Sequence, residues 1–224
     1  MIISSIFFIL GACLASFFSC QLYRDQHLLL ATNKRSFCET CLKTLTFWQL
    51  IPILGFLIQK GRCHFCNAKI SLISTLNELF FGSILALIAL FLPPDTWLQA
   101  IFICSWLFYL SLFDLATHLV PITPLLLGGS LNVILFYPTY SIFEWIVFSF
   151  SLLLLLIENF LGKLGIGDTF VIAFLALSLE PRELFFLLLC ASLATLIYAL
   201  FFKLSGELAF IPALFLGYLL TLFV

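Results

Sequence analysis

Long apolar runs, separated by short polar or proline-containing gaps, dominate the chain. A helix that crosses a bilayer needs about 20 mostly apolar residues. The pattern offers eight candidates: 2–22, 72–92, 97–114, 121–138, 142–161, 168–180, 183–202 and 207–224. Pro93-Pro94, Pro121, Pro124, Pro138 and Pro181 punctuate the gaps. The 168–180 run is short, so it is expected to merge with a neighbour or lie at an angle. One long polar segment, 23–71, breaks the series after the first run. The expectation is an all-α, polytopic membrane protein of about eight helices. It divides into a first transmembrane helix (1–22), a polar segment (23–71) and a transmembrane core (72–224).

Composition points the same way. Of 224 residues, 63% are hydrophobic and 9% charged, with 28 Phe, more apolar surface than a soluble domain could hide. A net charge of -1 leaves no basic footprint for nucleic acid; membrane lipid is the expected surrounding. The run from Ile2 to Cys20 has no basic region before it and no clear small-residue cleavage site after it. It is expected to be a retained helix, not a cleaved signal.

Lys and Arg set the orientation. Arg24, Lys34, Arg35, Lys43, Lys60, Arg62 and Lys69 all fall in 23–71. With that segment cytoplasmic, alternation puts Lys163 and Lys203 on the same side, and of the 10 basic residues only Arg182 falls outside. The same alternation brings Asp114 and Asp168 to the cytoplasmic ends of their helices.

The polar segment holds two CxxC pairs, Cys38-Glu39-Thr40-Cys41 and Cys63-His64-Phe65-Cys66. A CxxC turn aims two thiolates at one ion, and two turns complete a four-sulfur shell for Zn2+. The nearby basic side chains offset the negative charge of a zinc tetrathiolate. A polar segment this short has little core, so the metal would supply much of its folding free energy. Disulfides or free thiols are the alternative, and a reducing compartment disfavours disulfides. His64 reads as a surface residue. Cys13, Cys20, Cys104 and Cys190 sit in apolar runs and read as small buried hydrophobes.

Acids in membrane helices are functional candidates, because lipid solvates a carboxylate poorly. Asp114 ends the run Ser111-Leu112-Phe113-Asp114, and Asp168 follows Gly165-Ile166-Gly167 at the start of another. Gly165 and Gly167 suit a tight helix entry. Two carboxylates that meet share a proton: one is the base on a water, the other the acid that polarises a peptide carbonyl. Taken singly, Asp168 could be a helix N-cap and Asp114 an interfacial residue. Glu78 lies one to two turns into its run and could contact the cysteine segment or a polar ligand. Glu158 is expected to snorkel or pair with Lys163. His118 reads as an interfacial loop residue.

Together these features resemble the type IV prepilin peptidases, membrane aspartic proteases of the GxGD class, over nearly the whole chain. Gly11-Ala12-Cys13-Leu14-Ala15-Ser16-Phe17, running on to Tyr23-Arg24, is similar to the family's opening helix and its arginine. Arg35-Ser36-Phe37-Cys38, Ile51-Pro52-Ile53-Leu54 and Lys60-Gly61-Arg62-Cys63 resemble its cysteine-rich cytoplasmic segment. Lys69-Ile70-Ser71 followed by Glu78 resembles the entry to its next helix. Asp114 and Gly165-Ile166-Gly167-Asp168 match its two catalytic aspartates, and Phe210-Ile211-Pro212 faintly resembles a motif of its last helix. The resemblance implies a type IV pilin-like precursor as substrate, with a short basic leader ending in glycine. It implies cleavage at the cytoplasmic face of a bacterial inner membrane. Many members also methylate the new N-terminus with S-adenosylmethionine, an activity associated with the cysteine segment; Arg24 and Glu78 are candidates for that step or for a structural role. Phe170 stands where the family often has lysine, and Ser19 where it often has asparagine.

Other readings stay open. A presenilin-like intramembrane protease also uses GxGD, and Pro212-Ala213-Leu214 spells its PAL tripeptide, but the cysteine segment argues against it. An ion-coupled transporter would carry acids near mid-membrane and internal repeats, and none is visible. A zinc-bearing scaffold would tolerate Asp→Asn at both positions.

Overall fold

The structure is a computed structural model that describes residues 2–26, 35–38, 40–136, 149, 153, 157, 159–160, 165–202 and 208–223. The expected span 142–161 lies almost wholly outside these residues, as do Lys34, Glu39, Glu158, Lys163 and Lys203. The described elements are helices: α1 (Ile2–Gln26), a 3-10 turn (Phe47–Leu50), α2 (Leu54–Ile58), α3 (Leu72–Phe91), α4 (Trp97–Thr117), α5 (Ile122–Phe136), α6 (Ile166–Ala176), α7 (Pro181–Phe202) and α8 (Ile211–Thr221). Pairing outside helices is limited, among the described residues, to two isolated β-bridges. The protein is thus all-helical and of membrane type. α1, α3, α4 and α7 are long and apolar enough to cross a bilayer, while α5, α6 and α8 are apolar but shorter.

Helix ends differ from the apolar runs in a consistent way. α1 continues to Gln26 and α4 to Thr117, beyond the expected 22 and 114. Hydrophobicity marks where lipid is, whereas hydrogen bonding carries a helix on into the polar interface. Starts are set by local chemistry. The Ser71 hydroxyl accepts the Ile73 N–H at 3.3 Å and caps α3. Pro181 opens α7, and Pro212 lies in the first turn of α8, where a missing N–H costs nothing.

The chain forms two compact units, Met1–Trp97 and Leu98–Val224. In the first, α1 packs on α3 with backbones nearly touching: a Cβ on Gly11 would lie 2.8 Å from the Phe81 carbonyl oxygen, and one on Gly82 would lie 2.9 Å from that of Phe8. Small residues allow this approach, as is usual between membrane helices. Ala12 and Ala15 fill the rest of the α1 face, against buried Phe81, Leu85 and Ile88 of α3.

In the second unit α4 is the most buried span. The Trp106 indole lies against Gly128 and donates to the Pro124 carbonyl at 3.1 Å, tying α4 to the start of α5. The Phe174 ring of α6 seats on Gly129 of α5, and Gly217 of α8 meets the Leu187 backbone of α7. Ile103, Leu107, Leu110, Val171, Leu175 and Leu214 form the core around these contacts.

Candidate functional site

Each unit carries its own chemistry. In the first unit the two CxxC pairs adopt the same local fold. Cys38 N–H donates to Lys43 O at 2.9 Å and Cys63 N–H to Ala68 O at 2.8 Å. Leu42 N–H returns to Cys38 O, and Asn67 N–H to Cys63 O, both at 2.9 Å. The residue four places after each first cysteine turns left-handed, Leu42 at φ 57° and Asn67 at φ 56°. Bridges Phe37 to Thr44 and Arg62 to Lys69 close the two loops. Each turn therefore presents two sulfurs on one side, and the four sulfurs of Cys38, Cys41, Cys63 and Cys66 lie within 4.8 Å of one another.

That spacing fits a tetrahedral ion. Sulfurs at about 2.3 Å from a zinc centre sit roughly 3.8 Å apart, and Cys38 Sγ lies 3.8 Å from Cys66 Sγ. None of the four cysteines is in a disulfide. Backbone N–H groups of Cys66 and Phe65 aim at the Cys63 sulfur and bring its thiol down to about 7. At Cys66 the Ala68 N–H acts in the same direction, but burial and the Cys41, Cys63 and Cys38 sulfurs outweigh it and push the thiol up to about 11. Four sulfurs this close repel one another as thiolates until a cation lies among them. The cluster could hold a metal ion. His64 is exposed, as expected, with its ring against Trp48 (5.8 Å) and Phe65 (5.5 Å).

Glu78 and Arg24 also belong to this unit. Glu78 is only 6% exposed, and its Oε2 accepts the Ile53 N–H at 2.7 Å. Ile53 has φ 62°, an uncommon angle for a β-branched residue. Glu78 thus holds a strained turn of the polar segment against α3. Arg24, in the last turn of α1, and Glu78 both line a cavity of about 480 Å³, together with Ser19, Tyr23, Gln49 and Gln59. Ser19, at the family's asparagine position, accepts from Asn77 Nδ2 at 3.5 Å.

The aspartates lie in the second unit. Asp114 lies in the last turn of α4 and is 6% exposed. Its Oδ2 accepts the Ile211 N–H at 3.1 Å. Ile211 opens α8, so the carboxylate takes up one of the free N–H groups at that helix start. His118 also lies within electrostatic reach of Asp114.

Asp168 lies in the first turn of α6, three residues after the N-cap Gly165. It is therefore not the N-cap. Gly165 is open enough for the carboxylate to fold back: a Cβ there would lie 3.1 Å from Asp168 Oδ2. Gly167 leaves room for Val120, which a Cβ would approach to 2.9 Å. The glycines thus allow the loop after α4 and the start of α6 to meet. Thr169 fixes that turn by donating to Gly165 O at 3.0 Å. Asp114 lies within electrostatic reach of Asp168. Phe170, at the family's lysine position, is exposed. The contact that sequence reading undervalued is Ile211, whose signal was the Phe210-Ile211-Pro212 helix start.

Comparison with known proteins agrees with this division. Residues 9–92 match the Bacterial Peptidase A24 N-terminal domain, a stretch inside the first unit. The chain is 32% identical over 212 residues to a type 4 prepilin-like proteins leader peptide-processing enzyme of Escherichia coli, covering 85% of this chain and 76% of that protein. It is 31% identical over 193 residues to a prepilin leader peptidase/N-methyltransferase of Neisseria gonorrhoeae, covering 80% and 67%. A Bacillus subtilis protein of the same name is 42% identical over 82 residues, 37% of this chain and 33% of that one. No solved structure matches. With two relatives matched over two thirds or more of their length, the chain belongs to the type IV prepilin peptidase family.

Proposed function

We propose that the protein is a membrane aspartic endopeptidase that removes the leader of type IV prepilin-like precursors and methylates the new N-terminus. The observation that carries the peptidase reading is the approach of Asp114 and Asp168, contributed by α4 and α6, to within electrostatic reach. Two carboxylates that meet on a substrate share one proton. The ionised member takes a proton from water, whose oxygen attacks the carbonyl carbon at the end of the leader. The protonated member donates to the carbonyl oxygen. Collapse of the tetrahedral adduct breaks the C–N bond, and the proton held by the pair passes to the leaving amine. The products are a leader carboxylate and a free N-terminus. The Ile211 N–H holds Asp114 in place. By the distribution of Lys and Arg, both aspartates and the cysteine segment face the cytoplasm.

The four sulfurs suit zinc, whose part is to hold the segment folded. Methylation would draw on S-adenosylmethionine, which supplies an electrophilic methyl group when bound. The cavity lined by Arg24 and Glu78 falls in the size range of small-molecule sites. Cleavage of a co-expressed prepilin by wild type, Asp114→Asn and Asp168→Asn, read as a gel shift, tests the peptidase reading. Both variants should insert in the membrane and be inert. Near-normal cleavage by either would falsify the shared-proton mechanism and return the transporter and scaffold readings.

A further inference from the structure

The first unit carries a surface that the peptidase and metal readings leave unused. The 3-10 turn Phe47–Leu50 and helix α2 are almost wholly apolar, yet Phe47 is 89% exposed and Leu57 59%, with Leu54 and Ile58 also exposed. In water such a patch is a liability. Its depth suggests another surrounding. α3 spans 20 residues, about 30 Å, which matches the hydrocarbon thickness of a bilayer. Its first turn already bears outward apolar side chains, Ile73 at 70% exposure, so lipid begins near Leu72. Glu78 lies about 9 Å further along the axis, and its carboxylate holds the Ile53 N–H between the turn and α2. Helical side chains lean toward the N-terminus, so the contact sits somewhat shallower than Glu78's own backbone. That is the depth at which interfacial helices lie.

Charge identifies the lipid. Between residues 35 and 71 the chain has Arg35, Lys43, Lys60, Arg62 and Lys69 against the single acid Glu39. The five basic side chains are exposed, and Lys60 and Arg62 directly follow α2. A zinc tetrathiolate would lower the excess without reversing it. An apolar face with a basic flank is the pattern that binds anionic membranes. The same flank repels a basic leader, so the prepilin is the poorer occupant.

We propose that Phe47–Ile58 inserts into the headgroup boundary of the bilayer crossed by α1 and α3, with Lys60, Arg62 and their basic neighbours on anionic phospholipid headgroups. The inference rests on the membrane character of the chain and is independent of the peptidase reading. The test uses the full zinc-loaded chain in nanodiscs with brominated acyl chains, made of phosphatidylcholine alone or mixed with phosphatidylglycerol. Trp48 emission is read as the difference between wild type and Trp48→Phe; the remaining tryptophans report that the protein is inserted. Trp48 should be quenched, more strongly with phosphatidylglycerol, and Lys60→Gln/Arg62→Gln should abolish that lipid difference. An unquenched Trp48 in an inserted protein overturns the insertion. Equal quenching in both lipids overturns the headgroup assignment. A Trp48 signal that changes only when prepilin is added gives the surface to the substrate and also overturns it.

Discussion

The cysteine cluster and the aspartate site are built in opposite ways. The sulfurs that meet at 3.8 Å are 28 residues apart, and each pair is aimed by one loop with its own internal hydrogen bonds. The contact that holds Asp114 crosses 97 residues and needs α4 and α8 to be brought together first. A metal site on short loops can assemble before, or without, the helical core. A two-acid site cannot, because its components share no local structure. One chain thus carries a cysteine cluster that could hold a metal and a pair of acids whose geometry comes from the fold.

The sharpest way to break this comparison is to remove a sulfur. Structural zinc contributes about 10–16 kcal/mol in small zinc-binding peptides at neutral pH, so Cys38→Ser should release the metal and unfold the loops around it. Zinc content by mass spectrometry and proteolysis of residues 35–71 read this out. If the two sites are separate, leader cleavage persists while methylation falls. Loss of cleavage in step with zinc would show that the aspartates depend on the metal unit. The converse change acts on chemistry alone. Asp114→Asn or Asp168→Asn should lower the cleavage rate by about 10²–10⁴-fold and leave zinc content unchanged. Equal zinc loss in either variant would mean that the substitution unfolds the protein.

How legible each site was in the sequence follows from the same contrast. CxxC spacing encodes the cysteine geometry directly, because the turn that aims both sulfurs lies within the motif. The apolar runs marked the helices at α1, α3, α4, α5 and α7 to within a few residues. Their true ends at Gln26 and Thr117 were hidden because polar residues extend a helix beyond lipid. That extension leaves Asp114 in the last turn of α4 and buried. Gly-x-Gly-Asp marked α6, but not that Asp168 lies past the N-cap, since either position suits an acid near a helix start. Phe210-Ile211-Pro212 marked the start of α8, but not that the Ile211 N–H reaches Asp114, because any residue can lend its backbone N–H.

A smaller effect separates packing from chemistry. Gly82→Leu places a side chain where α1 and α3 backbones nearly touch. Overpacking of this kind costs about 1–3 kcal/mol, read as a lower thermal midpoint in detergent. The change lies in the unit that holds the cysteines, so zinc retention should weaken before cleavage does. An unchanged midpoint would mean that the two helices can separate at no cost.

Glu78 offers the finest cut, because it imitates Asp114. Both acids are 6% exposed, and each accepts one backbone N–H from a distant segment, Ile53 for Glu78 and Ile211 for Asp114. What Asp114 has in addition is a second carboxylate within electrostatic reach. If burial and an N–H contact made an acid catalytic, Glu78→Gln would abolish activity as Asp114→Asn does. The structure argues otherwise. Glutamine keeps an oxygen for the Ile53 N–H, so Glu78→Gln should retain cleavage and lose little stability. Glu78→Ala leaves that N–H without its acceptor and should cost about 1–3 kcal/mol, loosening the strained Ile53 turn, with leader cleavage still intact. Equal damage by Gln and Ala would instead assign Glu78 a role for its charge, and methylation measured apart from cleavage would then locate that role.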